Sequence, residues 1–235
     1  MKRLPLIVRA LREPGLMAQL PLPQWDLLLR QAACTRLTAT LLALAEERGQ
    51  LDAIPAQPRE HFEWVRLLAA RHQQAVRFET ARICAALAGL GLPLVLLKGA
   101  AYVAAGLPAA QGRLFSDIDI LVPKRRLGEV EAALMMAGWA TTHHDPYDQR
   151  YYRQWMHELP PMRHVRRQSV IDVHHAILPE TAAVRPEPAR LLAAARALPD
   201  DRDVRVLAPA DMVLHSAAHL FHGEFEHGLR DLFDL

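Results

Sequence analysis

Two carboxylates one residue apart, Asp117 and Asp119, sit inside the run Ser116-Asp117-Ile118-Asp119-Ile120. On a strand, successive side chains point to opposite faces, so both acids would share one face while Ile118 and Ile120 take the other. Two like charges on one face of a sheet repel unless a cation or strong donors offset them. A magnesium ion bound to a nucleotide triphosphate would do so, because magnesium takes oxygen ligands and substrate phosphates together. An earlier apolar run, Leu92 to Leu97, ends in Lys98-Gly99, so a basic residue and a glycine stand at the end of a second strand.

Periodicity indicates what must hold these residues. From Pro5 to about Leu90 apolar residues recur three and four apart, the spacing of helices, with turn signals at Glu13-Pro14-Gly15, Pro21-Leu22-Pro23 and Ile54-Pro55. The piece from Pro58 to Ala88 reads as one amphipathic helix stopped by Gly89-Leu90-Gly91. Strands are then predicted over 93–97 and 114–122, with a short helix over 100–105 between them and another over 127–137, closed by Gly138. Trp139 opens a third strand, and two antiparallel strands follow, about 151–159 and 169–177, joined by a basic turn around Arg163 to Gln168. Beyond Pro179 the pattern predicts a helix over 187–197, an extended 204–207, a helix from Pro209 through His222 and an amphipathic helix over 229–235. The expected class is α+β: a small mixed sheet with helical additions at both ends. We divide the chain into a helical region over 1–90, an α/β core over 91–180 and a helical region over 181–235 packing on that core.

With 235 residues, 51% of them hydrophobic, the chain can bury a substantial core, which excludes a disordered protein. A net charge of +2 does not indicate a nucleic-acid coat. The basic clusters Lys124-Arg125-Arg126 and Arg163, Arg166 and Arg167 read as solvated turns or strand edges rather than phosphate patches. Cys34 and Cys84 show no paired spacing, which fits a reducing compartment. No apolar run is long enough to span a bilayer, and Arg9, Arg12 and Glu13 interrupt any signal-peptide core near the N-terminus. We therefore expect a cytoplasmic protein without a membrane partner.

The ordered set Leu97-Lys98-Gly99, Arg113, Asp117-Ile118-Asp119, Gly138-Trp139, Ile171-Asp172-Val173-His174 and the segment from Pro209 to His219 resembles the nucleotidyltransferase superfamily that includes polymerase beta. More closely it resembles the branch of uncharacterised bacterial nucleotidyltransferases, over roughly Gly91 to Leu235. The resemblance implies transfer of a nucleoside monophosphate from an NTP, with ATP the expected one, to an acceptor hydroxyl with Mg2+. Such transfer needs the triphosphate charge neutralised and the attacking oxygen held in line, and two metal ions about 4 Å apart do both. Asp117 and Asp119 would bridge the metals, and the resemblance places the third acid at Asp172. Gly99 would let the backbone approach the phosphates, and Lys98 would reach a phosphate oxygen as a point charge or stay solvated at the strand end. The wider superfamily carries Gly-Ser where this chain has Lys98-Gly99-Ala100. That departure favours a second reading, a catalytically degenerate module that binds or regulates, against which the presence of all three acids counts. The acceptor is not selected by the sequence, and part of its site is expected outside this chain because the resembling branch often continues.

Arg113 would pair with Asp117, clamp a phosphate or form another ion pair. Ser116 would order the turn before the strand or touch a phosphate. By alternation His174 shares the face of Asp172 and would act beside the metals. Glu158 would serve as a base for the acceptor, with an ion pair to Arg163 or Arg166 the stronger expectation. His215, His219 and His222, four and three apart and followed by Glu224, line one helix face in a spacing that could bind zinc in a hydrolase. Without His-Glu-x-x-His or a cysteine pair, structural histidines are the better reading.

Overall fold

A computed structural model describes residues 4–223, 225 and 227–235, so Glu224 lies outside the described residues. Helices α1 (Leu6–Arg12), α2 (Leu22–Cys34) and α3 (Thr38–Glu47) precede α4 (Ala56–Leu87). Pro23 in the first turn of α2 supplies a preset φ where no amide partner is needed. The long amphipathic helix forms as the spacing predicts, and Gly91, at φ +63°, lets the chain turn back after it. Helix α4 serves two cores. Phe62 and Val65 pack among Trp25, Leu28 and Leu41 of the N-terminal helices, while Val76, Ile83 and Leu87 pack on the sheet.

The sheet contains β1 (Leu94–Leu96), β2 (Asp117–Leu121), β3 (Trp139–Thr141), β4 (Met162–His164), β5 (Val170–His174), β6 (Arg196–Ala197) and β7 (Val204–Val206) in the spatial order β3-β4-β5-β2-β1-β7-β6. Strand β2 runs parallel to β5 and antiparallel to β1, and β1 runs parallel to β7, so the sheet is mixed as expected. Alternation divides its faces. Leu94, Leu96, Ile118, Ile120, Ile171 and Val173 point into the core under α4, α5 (Lys98–Ala104) and α6 (Leu127–Met136). Each such fully buried side chain stabilises the fold by about 1.5–3 kcal/mol. That apolar face fixes the strands whose other face carries the acids.

Two predicted elements differ. The segment expected as a strand over 151–159 forms α7 (Pro146–Trp155), because the Asp145 carboxylate accepts from the Tyr147 amide and Pro146 occupies the first turn. After α7 the chain does reach the sheet, where Glu158 makes a single antiparallel bridge to His174 before Pro160-Pro161 interrupt the ladder. The helix expected over 187–197 is shorter, α8 (Pro188–Ala194), and Arg196–Ala197 instead pair with β7 and cover part of its edge. The last helices, α9 (Pro209–His222) and α10 (Gly228–Asp234), return to the body: Leu229 joins the N-terminal core and the Arg230 guanidinium donates to Thr40 Oγ1. Among the described residues no single helix is long and apolar enough to cross a membrane.

Arg167 is not on a solvated turn. Its guanidinium makes a two-pronged pair with Glu79 of α4, at 2.6 and 3.0 Å, and lies over the Trp139 ring, tying the β4–β5 hairpin to the long helix. Lys124 pairs with Glu180 and Arg126 with Glu129.

Candidate active site

The parallel register of β2 and β5 sets Asp119 directly beside Asp172, on the face away from the apolar core. Asp117, two residues before Asp119, joins them. One oxygen from each of Asp117, Asp119 and Asp172 lies within 4.8 Å of the others. Neighbouring strands are about 4.8 Å apart, so carboxylates at paired positions on one face meet without any loop having to fold over them.

The three acids are not equivalent. Asp119 Oδ1 accepts from Lys98 Nζ and from His174 Nε2, both at 2.8 Å. Burial alone would raise the Asp119 pKa, but the Lys98 charge and the His174 hydrogen bond together hold it well below the usual carboxylate range. Asp172 has the opposite fate: burial, then the charges of Asp119 and Asp117, push it up to about 8. Its Oδ1 is buried with no hydrogen-bond partner. Neighbouring carboxyls driven apart in this way leave one ionised and the other protonated near neutral pH. Three convergent oxygen donors, one of them orphaned and buried, suit a hard divalent cation such as Mg2+, whose charge would remove the cause of the Asp172 shift.

Lys98 is neither solvated nor aimed outward. It adopts φ +45°, a left-handed conformation uncommon for a long side chain, and this turns its ammonium from the end of β1 back onto Asp119. Gly99 is explained by packing: a Cβ there would stand 2.6 Å from the Phe115 ring. Ser116 is exposed, immediately before β2. Arg113 does not pair with Asp117. It pairs with Asp234 of α10, beside Arg230, and its guanidinium lies over the Tyr102 ring. A narrow cleft lined by Lys98, Tyr102, Arg113, Ser216, His219 and Asp234 nevertheless connects that ion cluster to the lysine.

His174, 1% exposed, does lie beside the carboxylates. Its Nδ1 stands 3.2 Å from Glu158 Oε2, so Glu158 faces His174 and not Arg163 or Arg166. His215, on α9, is buried, and burial followed by the charges of Lys98 and His174 pushes it down to about 3. His219 Nδ1 is 3.8 Å from Asp231 and His222 is exposed, so among the described residues the three helical histidines do not converge as ligands. A separate cavity of about 470 Å³ opens beside Lys124, His175 and Leu192 but includes none of the three acids.

One neighbour of the site has no role assigned from the sequence. His157 stacks on His174 with ring centroids 5.3 Å apart. The Tyr152 hydroxyl on α7 is pushed up, first by burial and then by the charges of Glu158 and Asp172. The Asp145-Pro146 cap is the local signal for α7.

A family model described as "Uncharacterised nucleotidyltransferase" matches residues 21–235. No curated protein matches the chain. Among solved structures the chain is similar to the solution structure of the antibiotic-resistance factor ANT(2'')-Ia, with 18% identity, coverage of 69% of this chain and 83% of that one, and a TM-score of 0.44. It is also similar to the crystal structure of ANT(2'')-Ia in complex with adenylyl-2''-tobramycin, with 19% identity, coverage of 68% of this chain and 97% of that one, and a TM-score of 0.38.

Proposed function

This chain belongs to the uncharacterised nucleotidyltransferase family, and from that premise we propose that it transfers a nucleoside monophosphate from an NTP to an acceptor hydroxyl. The acceptor oxygen bonds to the α-phosphorus as the bond to the bridging β-phosphate oxygen breaks; the hydroxyl proton is lost to water and pyrophosphate leaves with the electron pair of the broken bond. The observation that carries the reading is the register of Asp119 with Asp172 beside Asp117, with one buried oxygen of Asp172 unpartnered.

In this reading Asp117, Asp119 and Asp172 hold divalent metal, Mg2+ by the chemistry of their donors. When bound, it supplies neutralisation of the triphosphate and polarisation of the reacting phosphoryl group. Lys98 and His174 keep Asp119 ionised and fix its orientation. Asp172 keeps a proton near neutral pH and releases it to become a ligand. Val95, Leu97 and Leu121 belong to an apolar cluster with Ile177, Leu191 and Leu207.

One observation favours a second reading, a module that binds without turning over. The Lys98 ammonium already neutralises Asp119, a role a cation would otherwise take. Calorimetry with each NTP and Mg2+, followed by incubation with α-labelled NTP and cell lysate, separates the two. Binding that Asp117→Asn abolishes, with label passing to an acceptor, supports the transferase. Binding without label transfer supports the module. No NTP binding by the intact protein overturns both.

A further inference from the structure

Beside the three carboxylates lies a second group of ligand atoms with different chemistry. One such atom from each of His157, Glu158 and His174 lies within 4.8 Å of the others. Two imidazoles and one carboxylate make a donor set that suits zinc, whereas magnesium takes oxygen. The spacing of the rings fits as well. With metal–nitrogen bonds of about 2.0 Å, two imidazoles on one tetrahedral ion place their centroids roughly 5 Å apart, and those of His157 and His174 are 5.3 Å apart with a 32° tilt.

The atoms that would ligate are the ones left without partners. His157 Nδ1 is buried and unbonded. So is Nδ1 of His174, a side chain only 1% exposed, although Glu158 Oε2 approaches it to 3.2 Å in a geometry that makes no hydrogen bond. The opposite nitrogen, His174 Nε2, lies 2.8 Å from Asp119 Oδ1. A metal-binding histidine typically donates its second N–H to a carboxylate, which fixes the tautomer and turns the free nitrogen to the ion. The backbone supports the arrangement, because the His157 carbonyl accepts from the amides of His175 and Ala176 and Glu158 bridges to His174. Residues 157–158 are therefore held against the end of β5.

We propose that His157, Glu158 and His174 form a binding site for a zinc-class transition-metal ion, with His174 ligating through Nδ1 and a further coordination position left open. The ion would fasten the segment after α7 to β5 and, through His174, steady Asp119.

The experiment measures metal without nucleotide, so its failure is distinct from failure of the transferase reading. Purified protein is loaded with Zn2+, dialysed and analysed for bound metal, and Co2+ is substituted as a spectroscopic reporter. About one zinc per chain is expected, with His157→Asn weakening zinc binding by tenfold or more and Asp172→Asn leaving it in place. Should His157→Asn fail to fold by circular dichroism, Glu158→Gln and the Co2+ spectrum of the unmodified protein decide. An intense visible band from tetrahedral or five-coordinate Co2+ supports the site. The proposal is overturned by absence of retained zinc, by unchanged zinc affinity in a folded His157→Asn, by loss of zinc in His219→Ala but not in the ligand variants, or by the weak spectrum of octahedral oxygen ligation.

Discussion

At the β2–β5 pair, Asp119 alone of three carboxylates takes the lysine and the histidine, and Asp172 Oδ1 is left with no partner. At the β4–β5 hairpin, Arg167 meets Glu79 with two hydrogen bonds, stands 2.6 Å from His164 Nε2 and covers the Trp139 ring. Both clusters are largely buried and charged, yet only the second is balanced. The difference teaches that buried charge by itself does not mark a functional site. A cluster whose donors and acceptors are matched holds structure together, whereas one with surplus like charge and an orphaned oxygen carries a cost that only a ligand relieves.

Substitutions that treat the clusters alike would break this contrast. The largest effect is expected for Asp119→Asn, which removes the negative charge facing the Lys98 ammonium and weakens the acceptor shared by Lys98 and His174. It should destabilise the protein by about 3–5 kcal/mol in urea unfolding and abolish Mg2+-dependent NTP binding. Arg167→Ala should cost about 2–3 kcal/mol by leaving Glu79 buried and unpaired, with NTP binding by the folded fraction unchanged in calorimetry.

Asp172→Asn should move stability the other way. In the unfolded chain this carboxyl ionises near 3.8, and in the fold burial and its acidic neighbours push it up to about 8. Its contribution is therefore fully present below pH 4 and is lost as pH rises through 8. Without divalent cation the asparagine variant should be more stable than the parent by about 1–3 kcal/mol at pH 8, with the gain vanishing near pH 4, while NTP binding with Mg2+ is lost. Thermal unfolding across that range checks it; a destabilised variant at pH 8 would place Asp172 with the balanced cluster. The smallest effect is expected for Arg163→Ala, at an exposed position of the same hairpin, where a change within about 0.5 kcal/mol sharpens the point that Arg167 alone of that basic run is structural.

The carboxylate pair, the mixed sheet and the long helix were legible because each has a period: two for Asp117 and Asp119, near 3.6 for α4. The third acid, Asp172, is placed by the family resemblance and not by a period of its own. The identity of Lys98 is compatible with solvent or phosphate and reveals nothing of its positive φ or its bond to Asp119. The sequence favours an ion pair of Glu158 with Arg163 or Arg166, while a single bridge to β5 delivers it to His174 instead. The strand expected over 151–159 gives way to α7, whose local signal is the Asp145-Pro146 cap.

The sequence by itself determined which residues could do chemistry and which face of a strand they occupy, since side-chain alternation is a local property of the backbone. Tertiary structure decided which acid is ionised, which is protonated and which basic group neutralises the cluster. Those outcomes depend on burial and on charges brought together from β1, β2, β5 and the segment after α7, and electrostatic interaction in a low-dielectric interior is set by distance in space, not along the chain.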